Sequence, residues 1–344
     1  MKKILIFFIT FLFLLLAVLI TIGLTGDKTV LKTVIDNPKL PSIEIDGIRL
    51  HSESFGNNKD PLIVVLHGGP GGDYRYLLSL KSLSSNHQVV FYDQRGSGLS
   101  ERVTENRLSL DSFREELHLV IEHYKGNSDR PVYIIGHSWG AMLATYYVSK
   151  YGKGIEKLVL AEPGFLNIQF FKIFYDRTNG LQPRDPSFKM GWNVLKAIIR
   201  SFFVNGPDSY SGEDYMNSQI MNSSPDETPI ARYWCENTAK NASMKDWRLG
   251  SLPMKVLAMN LIAEYKRNAL KAKFDLTKGL DHFNKKVLFI TGDCNSIIGP
   301  DIQVQQARLF PKAEVKVIKN VGHTMFGEAP KDSIQIIREY FQEI

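Results

Sequence analysis

The chain runs to 344 residues, 44% hydrophobic and 23% charged, the balance of a globular protein with a full core in one large domain or two small ones. Its net charge of +6 is mild, and lysine and arginine are scattered with no run of five or more, so nucleic acid is not expected as a partner.

After Met1, Lys2 and Lys3, residues 4–24 are apolar apart from Thr10, Thr21 and Gly23. A helix crosses the hydrocarbon layer with roughly 20 such residues. A cleaved signal has a shorter apolar region, roughly 7–15 residues, before a small-x-small site, and residues 21–26 make a poor one. The expectation is an N-terminal membrane anchor (or uncleaved signal) over residues 1–26, with the membrane as a partner. Lys2 and Lys3 point to a cytoplasmic N-terminus with the rest of the chain on the extracytoplasmic side, against the pull of Lys28 and Lys32 just after the span.

A polar linker over residues 27–41 leads to residues 42–50, which alternate apolar and polar around Asp46-Gly47 and read as a β-hairpin. Near-continuous apolar runs follow at 62–66, 89–92, 132–135, 158–160 and 287–290. Such runs suit strands buried on both faces of a parallel sheet. Helical stretches at 110–124 and 141–151 lie between them. The alternation predicts an α/β fold, a mostly parallel central sheet with helices on both faces. The core is expected over residues 42–163 and 284–344. Between them, residues 164–283 lose the sheet rhythm and take helical spacing, as at Phe170, Phe171, Phe174 and Tyr175 and at Val194, Leu195, Ile198 and Ile199. This insert reads as a helical cap over the site.

Three motifs carry the chemistry. His67-Gly68-Gly69-Pro70-Gly71-Gly72 follows the 62–66 strand. Asp93-Gln94-Arg95-Gly96-Ser97-Gly98 follows the 89–92 strand and reads as a braced, charged turn rather than a catalytic one. Gly136-His137-Ser138-Trp139-Gly140 joins a buried strand to a helix, the strand–turn–helix context in which G-x-S-x-G projects a nucleophilic serine. Such a serine needs two backbone N–H groups aimed at the developing oxyanion. Trp139 and Gly69 are the candidates, and the missing G-x-x-x-x-G-K-[ST] argues against a phosphate loop. Late in the chain, His323 follows the 314–318 strand, the order expected of the general base. Of the other seven histidines, His67 and His137 belong to motifs and five have no motif context.

Together the three motifs resemble the proline iminopeptidase branch of the α/β-hydrolases, over roughly Ile43 to the C-terminus. The resemblance implies a helical cap and removal of an N-terminal residue from short peptides, with no cofactor. The family usually has an Asp three positions after the glycine that ends the penultimate strand; here Gly292 is followed by Asn295. Asparagine cannot stabilise an imidazolium as a charge does. Glu162, at the end of the strand after the nucleophile, is the preferred acid, as in certain haloalkane dehalogenases, and Asp293 is the alternative. An acid-free dyad is the third reading. In the insert, the segment from Arg232 to Asn237 resembles the Trp-Glu segment of the branch's caps, which makes Glu236 a candidate partner for a substrate amine.

The leading expectation is thus a serine hydrolase working through an acyl-enzyme on a small molecule or short peptide. An ester or non-peptide amide hydrolase stands behind it, and an inactive binding protein, favoured by Asn295, is the rival of another class. Ser138 argues against epoxide or haloalkane chemistry, which wants Asp there. Cys235 and Cys294 form no C-x-x-C pair, and no His/Cys cluster has metal-ligand spacing, so no metal is expected. Outside the cytoplasm the two could staple cap to core, provided their Cα atoms lie within roughly 7 Å. Their pairing and the oligomeric state stay open.

Overall fold

In a computed structural model that describes residues 2–182, 188–221, 228, 230–236, 248–267 and 274–342, the chain begins with helix α1 (Lys2–Leu24). Gly23 is its one buried residue, and it is long and apolar enough to serve as a membrane span or as a signal sequence. Strands β1 (Ser42–Ile45) and β2 (Ile48–Phe55) then form the hairpin. Asp46 and Gly47 both take positive φ there, 52° and 68°, as a two-residue turn between twisted strands requires.

Next come β3 (Leu62–Leu66), β4 (Gln88–Tyr92), α2 (Leu110–Lys125), β5 (Val132–His137), α3 (Trp139–Tyr151) and β6 (Ile155–Ala161). The sheet order is β1-β2-β4-β3-β5-β6-β7-β8, completed by β7 (Val287–Gly292) and β8 (Ala313–Ile318). The β1–β2 and β2–β4 pairs are antiparallel, and every pair from β4 to β8 is parallel. The apolar runs are continuous because both faces are covered. Leu62, Val64 and Leu66 pack with Leu117 and Val120 on one side, and Ile63 and Val65 pack with Leu80 and Ile337 on the other. Full burial of each such side chain contributes about 1.5–3 kcal/mol.

β3 lies between β4 and β5, so the chain leaves it in one direction and later returns on its other side. Outside the carboxyl ends of strands at such a switch, a crevice opens. The glycine loop leaves β3 there and Ser138 leaves β5.

Between β6 and β7 the chain quits the sheet for α4 (Ile168–Thr178), α5 (Phe188–Ser201) and α6 (Ser211–Met221). A helical run follows: α7 (Ser251–Pro253), a π-helical stretch (Met254–Met259) and α8 (Asn260–Lys266). Short 3-10 turns lie at Ala231–Tyr233 and Leu280–His282, and residues 183–187, 222–227, 229, 237–247 and 268–273 of this insert fall outside the described residues. After β7, α9 (Pro300–Ala307), α10 (Met325–Glu328) and α11 (Pro330–Gln342) complete the described chain.

Candidate active site

Ser138 joins β5 to α3 with φ 55° and ψ −119°, a conformation costly for a residue with a Cβ and tolerated where surrounding structure enforces it. Its N–H donates to the Ala161 carbonyl at 2.9 Å, which ties the turn to β6. Gly140 is required one turn on, because a Cβ there would run into the Leu66 and His67 carbonyls.

Glu162 ends β6 and is fully buried. Its Oε1 accepts from Thr291 Oγ1 at 2.7 Å and from the Gly292 N–H at 2.8 Å. Its Oε2 accepts from Asn295 Nδ2 at 2.7 Å and meets His323 Nδ1 at 2.6 Å. A carboxylate only accepts, so Nδ1 of His323 carries the proton and Nε2 is left as the basic nitrogen. Asp293 is turned elsewhere: its Oδ1 accepts from the Asn320 N–H at 2.7 Å and its Oδ2 lies 3.5 Å from Lys319 Nζ. Asn295 is not idle at the position where the family has its acid. Its amide group holds Glu162, while its Oδ1 accepts from the Ile297 and Ile298 N–H groups.

The three motifs meet through side chains, of which the sequence alone singles out neither Gln94 nor Tyr76, whereas Asp93 and Arg95 are expected to brace their turn. Trp139 Nε1 donates to Gln94 Oε1 at 2.8 Å, and Gln94 Nε2 donates to the His67 carbonyl. Gln94 thereby couples the Ser138 turn to the glycine loop. Asp93 accepts from the Tyr74 and Leu99 N–H groups and meets His51 Nδ1 at 2.9 Å. Arg95 Nε donates to the buried Glu116 at 3.0 Å. A second chain starts at the Gly68 N–H, which donates to Tyr76 Oη at 2.7 Å. Tyr76 Oη in turn lies 2.6 Å from His137 Nδ1, and His137 Nε2 donates to the His323 carbonyl at 2.8 Å. Burial, with the neighbouring His323, holds the His137 pKa well below its ordinary value, so the ring is neutral. It can then accept at Nδ1 and donate at Nε2, as this chain requires.

The residues around Trp234 clamp the histidine loop. The His323 N–H donates to the Tyr233 carbonyl at 2.8 Å, and Trp234 Nε1 donates to Thr324 Oγ1 at 2.9 Å. The Tyr233 ring lies 4.8 Å from the His323 ring, centroid to centroid. Cys235 and Cys294 form a disulfide, their Cα atoms 4.9 Å apart, which ties this cap segment to the loop that carries Asn295. Glu236 is exposed, and Asn237 lies outside the described residues.

A cavity of about 460 Å³ opens beside Ser138, with Gly69 and Trp139 in its wall. Most of the rest is apolar, including Met142, Phe171 and Phe274. Glu264, on α8, is the single charged residue among the described ones that line it, and Glu236 is not in the wall. Glu264 is itself exposed, at the cavity rim, and nothing in the sequence distinguishes it from other solvent-facing helix residues. Among the described residues, no group of three or more His, Cys, Asp or Glu is placed to hold a metal ion.

Comparison with known proteins adds to this geometry. The family model for the alpha/beta hydrolase fold matches residues 61–330. A proline iminopeptidase of Heyndrickxia coagulans is 37% identical over 315 residues, covering 88% of this chain and 98% of that protein. Among solved structures, the proline iminopeptidase of Mycobacterium smegmatis matches with a TM-score of 0.56 at 15% identity, over 87% of this chain and 96% of that one. A bacterial membrane phospholipase A matches with a TM-score of 0.57 at 16% identity, over 99% and 98%.

Proposed function

The chain belongs to the α/β-hydrolase family, in its proline iminopeptidase-like branch, and from that premise we propose how this serine hydrolase with aminopeptidase-like function works. Ser138 Oγ attacks the scissile carbonyl, and His323 Nε2 takes its proton. Glu162 holds the imidazole tautomer and stabilises the imidazolium that forms. The Trp139 and Gly69 N–H groups receive the oxyanion. As the tetrahedral intermediate collapses, the C–N bond breaks and His323 gives its proton to the leaving amine. Water, deprotonated by the now neutral His323, then attacks the acyl-enzyme, and the proton returns to Ser138 Oγ as the acid departs. The observation that carries this assignment is the 2.6 Å contact between His323 Nδ1 and a fully buried Glu162.

The substrate is a short peptide or small amide with a free N-terminus and an apolar first residue, matched to the apolar cavity. A cap carboxylate takes its ammonium through charge-assisted hydrogen bonds. Glu264 is the better placed candidate because it lines the cavity; Glu236 is the other. A panel of aminoacyl-naphthylamides, free and N-acetylated, alongside short p-nitrophenyl esters tests this. Free-amine substrates should lead, and Glu264→Gln should raise their KM about tenfold, the worth of one charged hydrogen bond, while sparing the esters. The same selective loss in Glu236→Gln instead would move the role to Glu236. Preference for the esters would favour the ester-hydrolase reading, which the sparse charge of the cavity wall supports.

α1 anchors the enzyme in a membrane, with the catalytic domain on the extracytoplasmic side. Lys2 and Lys3 ahead of the span support that orientation, and so does the Cys235–Cys294 disulfide, a bond that persists in oxidising compartments. The full chain should sediment with membranes and resist carbonate washing. A wholly soluble chain cleaved near Gly26 would contradict the anchor.

A further inference from the structure

The outer face of α5 is apolar and exposed. Phe188, Trp192, Leu195 and Ile198 recur at three- and four-residue spacing, and Phe202 extends the stripe just beyond the helix. Their exposures are 91, 40, 44, 39 and 83%. Ala197, on the opposite side, is buried, and α5 packs against α6. Residues 188–203 include Lys189, Lys196 and Arg200 and no acidic residue. An apolar stripe with Trp and Phe, together with basic residues, is the composition of a helix that lies in the plane of a membrane surface.

Position agrees with composition. α5 is in contact with α1, the helix long enough to span a bilayer. Arg200 Nε donates to the Ile22 carbonyl at 3.3 Å, and the Phe203 ring fills the space over Gly23, where a Cβ would overlap it. The stripe therefore continues the exposed apolar surface of α1 at the end of the span.

We propose that α5 lies on the bilayer as an amphipathic interfacial helix, with Phe188, Trp192, Leu195 and Phe202 in the acyl-chain boundary and its basic residues toward anionic headgroups, seating the cap on the membrane that α1 crosses. The proposal rests on α1 as an anchor. The absence of acidic residues favours an anionic lipid surface over a second copy of this basic helix, which would meet its own charge.

The test uses the full chain reconstituted in vesicles of phosphatidylcholine and phosphatidylglycerol. A nitroxide is attached to a single introduced cysteine in Trp192→Cys, Phe202→Cys or, as an aqueous control, Lys59→Cys. Lys59 lies in the exposed turn before β3, at the opposite edge of the sheet from the cap. Unchanged turnover of a soluble substrate certifies the fold of each variant. In the vesicle-bound chain, labels at 192 and 202 should collide more with oxygen than with a water-soluble nickel chelate, and the label at 59 the reverse. Labels at 192 and 202 as accessible to nickel as the control would overturn the proposal alone. Spin–spin broadening at 202 would overturn it too, by placing a second copy on the stripe. A chain that fails to float with the vesicles would overturn the anchor and the proposal together.

Discussion

The carboxyl edge of the sheet and the cap above it obey different constraints. At the edge, Glu162 is fully buried and accepts from four groups drawn from four positions in the chain. Removing any donor there leaves a buried charge short of a partner, a cost of about 1–3 kcal/mol or more. In the cap, α5 leaves large apolar side chains exposed, and the cavity wall holds a single charge among its described residues. The edge is over-determined, so its chemistry is set by few atoms. The cap is held by fewer such constraints, and under the proposed function it would set what is bound.

That contrast can be broken most sharply at Ser138. Ser138→Ala should cut turnover by about 10⁴–10⁶-fold with the melting temperature little changed. Activity within tenfold of wild type, measured on the preferred naphthylamide, would remove the nucleophile from the edge altogether.

Glu162→Gln should cost about 10³-fold or more in kcat, as neutralising a triad acid does. Asp293→Asn, which touches only the Asn320 and Lys319 side of its loop, should stay within a few-fold, the scale of surface substitutions. The reverse ranking would hand the role to Asp293.

Asn295→Asp sharpens the comparison further, because it restores the residue the family usually carries. Here it would set a second carboxylate against Glu162 Oε2 and delete the amide that donates to it at 2.7 Å. Losing that donor leaves the buried carboxylate short of a partner, a cost of about 1–3 kcal/mol. The like charge adds repulsion, so turnover at neutral pH should fall about tenfold. The acid limb of the pH–rate profile should move upward. Adding Glu162→Gln to Asn295→Asp should then recover activity relative to Glu162→Gln alone. A fully active Asn295→Asp enzyme would show that the hydrogen bonds to Glu162 matter little.

Breaking the link between the two regions should act mainly on stability. The Cys235–Cys294 bridge closes a loop of 59 residues. Cys294→Ser should lower stability by about 2–4 kcal/mol, with a smaller loss of turnover than any change at Glu162, Asn295 or Ser138. Non-reducing peptide mapping confirms the bridge before the melting curves are compared.

The same contrast explains what could be read in advance. The strand at 287–290 was legible because both its faces are covered, which keeps the run apolar. The strand–turn–helix geometry at Ser138 was legible because a strained turn there admits few residues beside it. Glu162 entered as a candidate from its place at a strand end, whereas its bond to Asn295 depends on how β6 and the loop after β7 converge, which no local pattern encodes. Gln94 sat inside a recognised motif, yet its two partners are Trp139 and His67, each in a different loop. In the cap, the spacing of Val194, Leu195, Ile198 and Ile199 identified a helix. Period alone does not say which side is covered, and Leu195 and Ile198 face outward. Glu264 is exposed, as a lone glutamate on a helix usually is, and only the packing of α8 beside the cavity sets it apart.

The most direct test of the central claim is labelling with a fluorophosphonate followed by mass spectrometry of the modified peptide. The reagent reports a serine oxygen that is activated by a base and flanked by an oxyanion site, which is what Ser138, His323 and Glu162 are assigned to form. The account predicts one adduct, on Ser138, strongly slowed in Glu162→Gln and unaffected in Asp293→Asn. An adduct on a different serine, or none on a folded chain, would contradict it.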